Sequence, residues 1–230
     1  MGDTNTIGGV WRAAVAIIAK HPLATLAPAV VLGAIGEVPS YLIDERRALD
    51  LALSLVAAYV AYYLYLAYAE GIVGLAERGE QHLSPRGMVD ELIWAARYVP
   101  SVLGAALISL TISTLAMGLL VVPGLWLYTR WSLATPVIRD RGVGPIVATQ
   151  VSNKLVRGHF WFVFMTASVA YYLEEAVIHA GAFAVGWATG SHTWGEWVGG
   201  SILAMLIIPL AAFATSLTHS SLAKRAEAVT

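Results

Sequence analysis

The chain has 230 residues, 58% of them hydrophobic and 13% charged, with a formal net charge of −1. Soluble domains carry about a quarter charged residues, so this composition, with a mean hydropathy of +0.69, is too apolar for a soluble fold and reads as a polytopic membrane protein. The balanced charge points to no nucleic-acid partner, and the absence of cysteine removes disulfides, thiolate nucleophiles and cysteine metal sites.

The N-terminal MGDTNTIGGVWR lacks a basic segment followed by an apolar core, so no cleaved signal peptide is expected. Six transmembrane helices are expected at about 22–41, 49–76, 99–122, 124–139, 159–188 and 196–220. The uncharged runs 98–129 and 197–223 each exceed the roughly 20 residues that cross ~30 Å of hydrocarbon. The period-two alternation of a β-barrel is missing, which leaves an all-α bundle.

Three short amphipathic helices, VWRAAVAIIAKHP, SPRGMVDELIWAARYVP and GPIVATQVSNKLVRGHF, each end in a basic residue just before a crossing. In the third, Thr149, Gln150, Asn153, Lys154 and Arg157 share one face and Val147, Val151 and Leu155 the other. Ser84-Pro85 and Gly144-Pro145 form N-cap and N1 pairs, while Lys20, Arg97 and Arg157 sit where the helix dipole favours cations. The chain therefore reads as one integral membrane domain, 1–230, built from units 7–77, 83–140 and 143–220, each a surface helix and two crossings. Lys20, Arg97, Lys154 and Arg157 are candidate contacts to membrane lipid or a cytoplasmic partner; the plainer reading makes these helices connectors at the headgroup level.

With a cytoplasmic N-terminus, Arg12, Lys20, Arg78, Arg86, Arg97, Arg139, Arg141, Lys154, Arg157, Lys224 and Arg225 fall inside. Only Arg46 and Arg47 fall outside, and Arg130 is left in the membrane. The positive-inside rule thus puts both termini of a multi-pass cell-membrane protein in the cytoplasm, with Trp187, Trp194 and Trp197 anchoring the last outer turn.

The run Pro123-Gly124, Arg130-Trp131-Ser132-Leu133-Ala134, Pro136-Val137, Gly144-Pro145 and Leu155-Val156-Arg157-Gly158-His159-Phe160-Trp161 resembles the membrane domain of glycerophosphoryl diester phosphodiesterases. It is also similar to related stand-alone six-helix membrane proteins of unknown function. In the phosphodiesterases a separate soluble barrel carries catalysis, and this chain has neither the length nor the acidic motifs for one. The resemblance implies an integral membrane fold, not the hydrolase activity.

Four ionisable residues fall inside expected crossings: Glu70, Arg130, Glu174 and Glu175. Each costs on the order of 2.5–3.5 kcal/mol to insert, so each should face a partner or a wet cavity. Glu70 lies roughly 12 Å from Arg78 along its helix and Arg130 roughly 13.5 Å from Arg139, so the two are expected to pair, either as a packing lock or as part of a transport path. On helix five, Tyr171, Glu175 and His179 recur at i, i+4 and i+8, with Ser168 one turn before and Glu174 on the flank. The acid surplus suggests a proton or cation relay through His179; alternatives are a metal held by Glu175 and His179 without a third ligand, or a wetted or packed structural cluster. His192 and Glu196 read as a solvated loop, His21 and His159 as headgroup residues. The tyrosines from Tyr59 to Tyr68 either line a polar cavity or pack helices through hydroxyl-to-carbonyl bonds, and Pro28, Pro136 and Pro209 interrupt helices one, four and six.

These features suggest a non-catalytic membrane protein that binds or moves a small ligand, lipid or ion through a polar cavity between helices two, four and five. The alternatives are a scaffold or accessory subunit docking a partner, as a homo-oligomer or with another membrane protein, and, third, a membrane-embedded metal-dependent enzyme. No cofactor motif appears.

Overall fold

The structure, a computed structural model, describes residues 4–42, 48–79, 85–190 and 201–228. In chain order it forms α1 (Ile7–Lys20), α2 (Pro22–Leu42), α3 (Ala48–Glu77), α4 (Pro85–Ala96), α5 (Val99–Leu119), α6 (Val121–Trp131), α7 (Ala134–Arg141), α8 (Pro145–Val156), α9 (Phe160–Val163), a π-helical segment (Phe164–Ser168), α10 (Val169–Thr189) and α11 (Ser201–Glu227), with no strand among the described residues. Three stretches, Val99–Leu119, Phe160–Thr189 and Leu206–Glu227, are long and apolar enough to cross a membrane, so three of the six expected crossings meet that requirement within the described residues. Arg46, Arg47, His192, Trp194, Glu196 and Trp197 lie outside the described residues, as do the side chains of Arg86 and Glu175.

The three short amphipathic helices are present as α1, α4 and α8. The Thr6 hydroxyl caps α1 by accepting the Gly9 N–H at 3.0 Å, an interaction worth about 1 kcal/mol. Val10, Ala13, Ala14 and Ile17, at i, i+3, i+4 and i+7, form its buried stripe. His21 precedes Pro22, whose ring excludes the helical conformation from the residue before it and starts α2 afresh. α1 and the described start of α2 consequently meet at 92°.

α3 is pinned to α2 through tyrosines: the Tyr65 hydroxyl donates to the Thr25 carbonyl at 2.6 Å and the Tyr68 hydroxyl to the Ala24 carbonyl at 2.7 Å. These two residues therefore follow the packing reading of the tyrosine cluster. α11 packs against α1, α2, α3 and α10, and its small Ala211, Ala212 and Ala214 let neighbouring helices approach closely.

Two expected breaks move. The hairpin between α5 and α6 turns at Leu120, in extended backbone, instead of at Pro123-Gly124. Pro123 sits in the first turn of α6, where a missing N–H removes no helical bond, and Gly124 lets α6 lie against Met117, whose backbone and side chain a Cβ would strike. The expected crossing 124–139 is divided into α6 and α7 at Ser132 and Leu133. Pro136 has no N–H to return to the Ser132 carbonyl, and neither piece, of 11 or 8 residues, spans a bilayer alone. Pro28 and Pro209, by contrast, lie within unbroken helices.

The expected faces of α8 hold in part: Gln150, Lys154 and Arg157 are exposed and Val151 and Leu155 pack on a buried cluster, but Thr149 turns inward and Val147 outward. Ala148, Thr149, Ser152 and Val156 are buried, whereas Val147 is 47% exposed. The Ser152 hydroxyl donates to the Arg130 carbonyl at 2.8 Å, and small residues on this face bring α8 against α5, α6 and α7. The π-helical segment adds a residue to one turn and aims Ser168 at α6, where its hydroxyl meets Thr129 Oγ1 at 3.0 Å.

Candidate functional site

An open cavity of about 780 Å³ lies among α3, α4, α7 and α11. α3 presents Glu70, Gly74 and Glu77 to it at i, i+4 and i+7, and α11 presents His219, Ser220 and Lys224. Opposite them stand Glu91 and Trp94 of α4 and Arg139 and Asp140 of α7.

At one wall His219 Nδ1 lies 2.8 Å from Glu70 Oε1, with 2% of the histidine side chain and 10% of the glutamate side chain exposed. A single hydrogen bond joins the imidazole to the carboxyl group there. At a second wall Arg139 pairs with Glu91, and its guanidinium lies over the Trp94 ring, 3.3 Å from the centroid. Gly71 makes room for that pair, because a Cβ there would run into the Glu91 carboxylate and the Arg139 guanidinium. At the rim Glu77 accepts from Ser220 and pairs with Lys224 at 2.8 Å.

The lining contains six carboxylates, Glu70, Glu77, Asp90, Glu91, Asp140 and Glu227, against the three permanent cations Arg78, Arg139 and Lys224. Three lining side chains also bury a polar atom that has no hydrogen-bond partner: Glu70 Oε2, Arg139 Nε and His219 Nε2. Buried polar atoms are normally bonded, so three unbonded ones around one cavity set it apart.

Of the expected site residues, Glu70 belongs here and Arg130 does not. The Arg130 guanidinium stacks on Trp126, 4.3 Å from the ring centroid, while Glu70 takes His219. The expected Glu70–Arg130 pair assumed one straight helix through 124–139; the break after α6 and the turn of Glu70 toward α11 remove that geometry.

A cavity does lie where helices two, four and five were expected to enclose one, lined by Tyr62, Tyr63, Ser109, Tyr128, Trp131 and Tyr171 among others, but its volume is about 30 Å³. That admits roughly one water molecule. Tyr171 meets Tyr62 edge-on there and lies tilted against Tyr128, whereas neither Glu70, Arg130, Glu174 nor His179 lines it. Glu174 is buried and His179 exposed, and among the described residues no three histidine or acidic side chains gather at metal-binding distance. Lys20, Arg97, Lys154 and Arg157 are all exposed, as surface contacts require.

His219, Glu91 and Trp94 were missed from sequence. The signal for His219 was the run Thr215-Ser216-Leu217-Thr218-His219-Ser220-Ser221, too polar to face lipid in an otherwise apolar helix. Glu91 and Trp94, three apart on a helix read only as a surface element, face the same way.

The architecture is that of an all-helical protein with helices able to cross a membrane and a charged cavity at one end of the bundle. Compared with protein-family models, curated proteins and solved structures, the chain matches none.

Proposed function

We propose that this chain is a six-crossing integral membrane protein, with both termini cytoplasmic, that binds a small polar ligand in the cavity between α3, α4, α7 and α11. The observation that carries this reading is the cavity of about 780 Å³ with buried, unbonded polar atoms in its lining. Ligand sites of small molecules span about 300–1,000 Å³, whereas the tyrosine-lined space between the expected helices two, four and five is too small for one. The positive-inside count supports a cytoplasmic mouth, since Arg78, Arg139 and Lys224 all border the cavity. Binding without catalysis also agrees with the resemblance to the phosphodiesterase membrane domain and its stand-alone relatives.

The chain has no cysteine, so a single Ala223→Cys substitution on the cavity lining provides a unique label. In oriented vesicles a membrane-impermeant maleimide should react with it from the cytoplasmic face alone. Polar metabolites of differing charge should include some that slow the reaction. Labelling from the outer face, no labelling, or no protecting solute would each remove the reading.

A further inference from the structure

We infer that Arg130 and Trp126 form a site for one anionic phospholipid, with the headgroup phosphate on the Arg130 guanidinium and an acyl chain along α6, an assignment independent of the cavity that rests only on the chain lying in a membrane. Arg130 is half-buried in a part of the molecule almost without acid. Between Glu91 and Glu174 the sequence holds Asp140 alone, and Asp140 lies 3.8 Å from Arg141. Among the described residues the Arg130 guanidinium makes no hydrogen bond or ion pair, only the stack on Trp126, 4.3 Å from the ring centroid. The other permanent cations described are exposed or hold an acceptor, as Arg139 holds Glu91 and Arg225 holds Asn5. A guanidinium partly withdrawn from water with its donors unused calls for an anionic acceptor, and phosphate accepts its planar fork in a bidentate pair.

The surface leading to Arg130 selects a lipid over a soluble phosphate. Val122, Trp126 and Arg130 follow one another at i, i+4 and i+8 along α6. Val122 is 77% and Trp126 44% exposed, and Leu119, Leu120 and Val121 of the hairpin before them are exposed and apolar as well. That stripe suits hydrocarbon, and the cation stands at its end.

α8 packs across the same end, with the Ser152 hydroxyl on the Arg130 carbonyl and Lys154 and Arg157 exposed. Arg130 thus stands where an amphipathic helix meets an apolar face, the depth at which a bilayer carries its phosphates. α9, which packs against α6, adds the exposed Trp161, edge-on to Phe160 and Phe164, and aromatic residues are enriched at that level. A soluble phosphate would occupy the cation and leave the stripe bare, whereas a phospholipid covers both.

Native mass spectrometry of the full chain released from detergent micelles reads bound lipid directly. Phosphatidylglycerol, phosphatidylcholine and diacylglycerol with identical acyl chains are compared, with sn-glycerol 3-phosphate as the soluble competitor. Phosphatidylglycerol should bind saturably and about tenfold more tightly than phosphatidylcholine, and neither diacylglycerol nor glycerol 3-phosphate should displace it. Arg130→Gln should weaken phosphatidylglycerol at least about tenfold, whereas Arg97→Gln, just beyond α4, should leave it unchanged. If Arg130→Gln does not yield folded protein, Trp126→Leu decides: it keeps the charge, removes the ring that aligns it, and should weaken binding by about threefold or more. Phosphatidylglycerol affinity unaffected by these substitutions, or matched by diacylglycerol, overturns the site. Displacement by glycerol 3-phosphate overturns the lipid in favour of a soluble phosphate, and an equal loss in Arg97→Gln reduces the binding to net charge; each leaves the membrane reading intact. Failure of the protein to resist carbonate extraction from phosphatidylcholine vesicles would instead remove the membrane reading and the lipid site with it.

Discussion

His219 and Glu70 stand 149 positions apart in the chain and 2.8 Å apart in the structure, both withdrawn from solvent. The contact joins α11 to α3 beside the cavity, so it contributes to the packing of the bundle as well as to the polarity of the site. A buried partner left behind is more costly than a pair removed together.

That asymmetry gives a thermodynamic cycle. Glu70→Leu or His219→Leu alone should destabilise the protein by about 1–3 kcal/mol. The double substitution should cost less than the sum of the two, by at least about 1 kcal/mol, because no unpaired group remains. Unfolding followed in detergent micelles measures all three. Strict additivity would show that the two side chains do not interact.

Gly71 and Gly74 lie one turn apart on α3 and should respond oppositely to alanine. At Gly71 the new Cβ collides with the Glu91 carboxylate and the Arg139 guanidinium, and the resulting displacement should destabilise by about 1–3 kcal/mol. At Gly74 a Cβ meets nothing within 4 Å, so the gain in helix propensity should stabilise by up to about 1 kcal/mol. Equal thermal stability of the two variants would contradict the placement of α4 and α7 against α3.

Val147 and Ser152 of α8 separate sequence periodicity from tertiary packing. Periodicity places Val147 on the apolar face, yet it is 47% exposed, and Ser152 is fully buried with its hydroxyl on the Arg130 carbonyl. Ser152→Val should therefore destabilise by about 1–3 kcal/mol through overpacking and a lost hydrogen bond. Val147→Ser should change stability by less than about 0.5 kcal/mol. The reverse ranking in denaturation experiments would contradict this placement of α8.

The case of α8 shows where local pattern stops. A hydrophobic stripe is a reliable guide when burial is achieved by apolar side chains, as along Val10, Ala13, Ala14 and Ile17 of α1. It fails where helices meet through small and hydroxyl residues, because a serine bonded to a carbonyl packs as closely as a valine and carries no hydrophobic signal. The break at Ser132 and Leu133 has a local cause in Pro136, but Pro28 and Pro209 sit in continuous helices, so proline alone does not reveal which helix divides.

By itself the sequence determined the helical class, the membrane-compatible composition, the three short amphipathic helices and nearly all helix positions, since these follow from apolar run length, period and capping residues within a few turns of chain. It also singled out Glu70 as a charge needing a partner. Only the tertiary structure decided that the partner is His219, that Arg139 and Glu91 sit across Trp94, and that the large cavity lies at that end of the bundle and not among the tyrosines. Partner choice depends on how α3, α7 and α11 rotate and cross. Those angles are set by small residues and a broken helix, and counting depth along straight helices does not contain them.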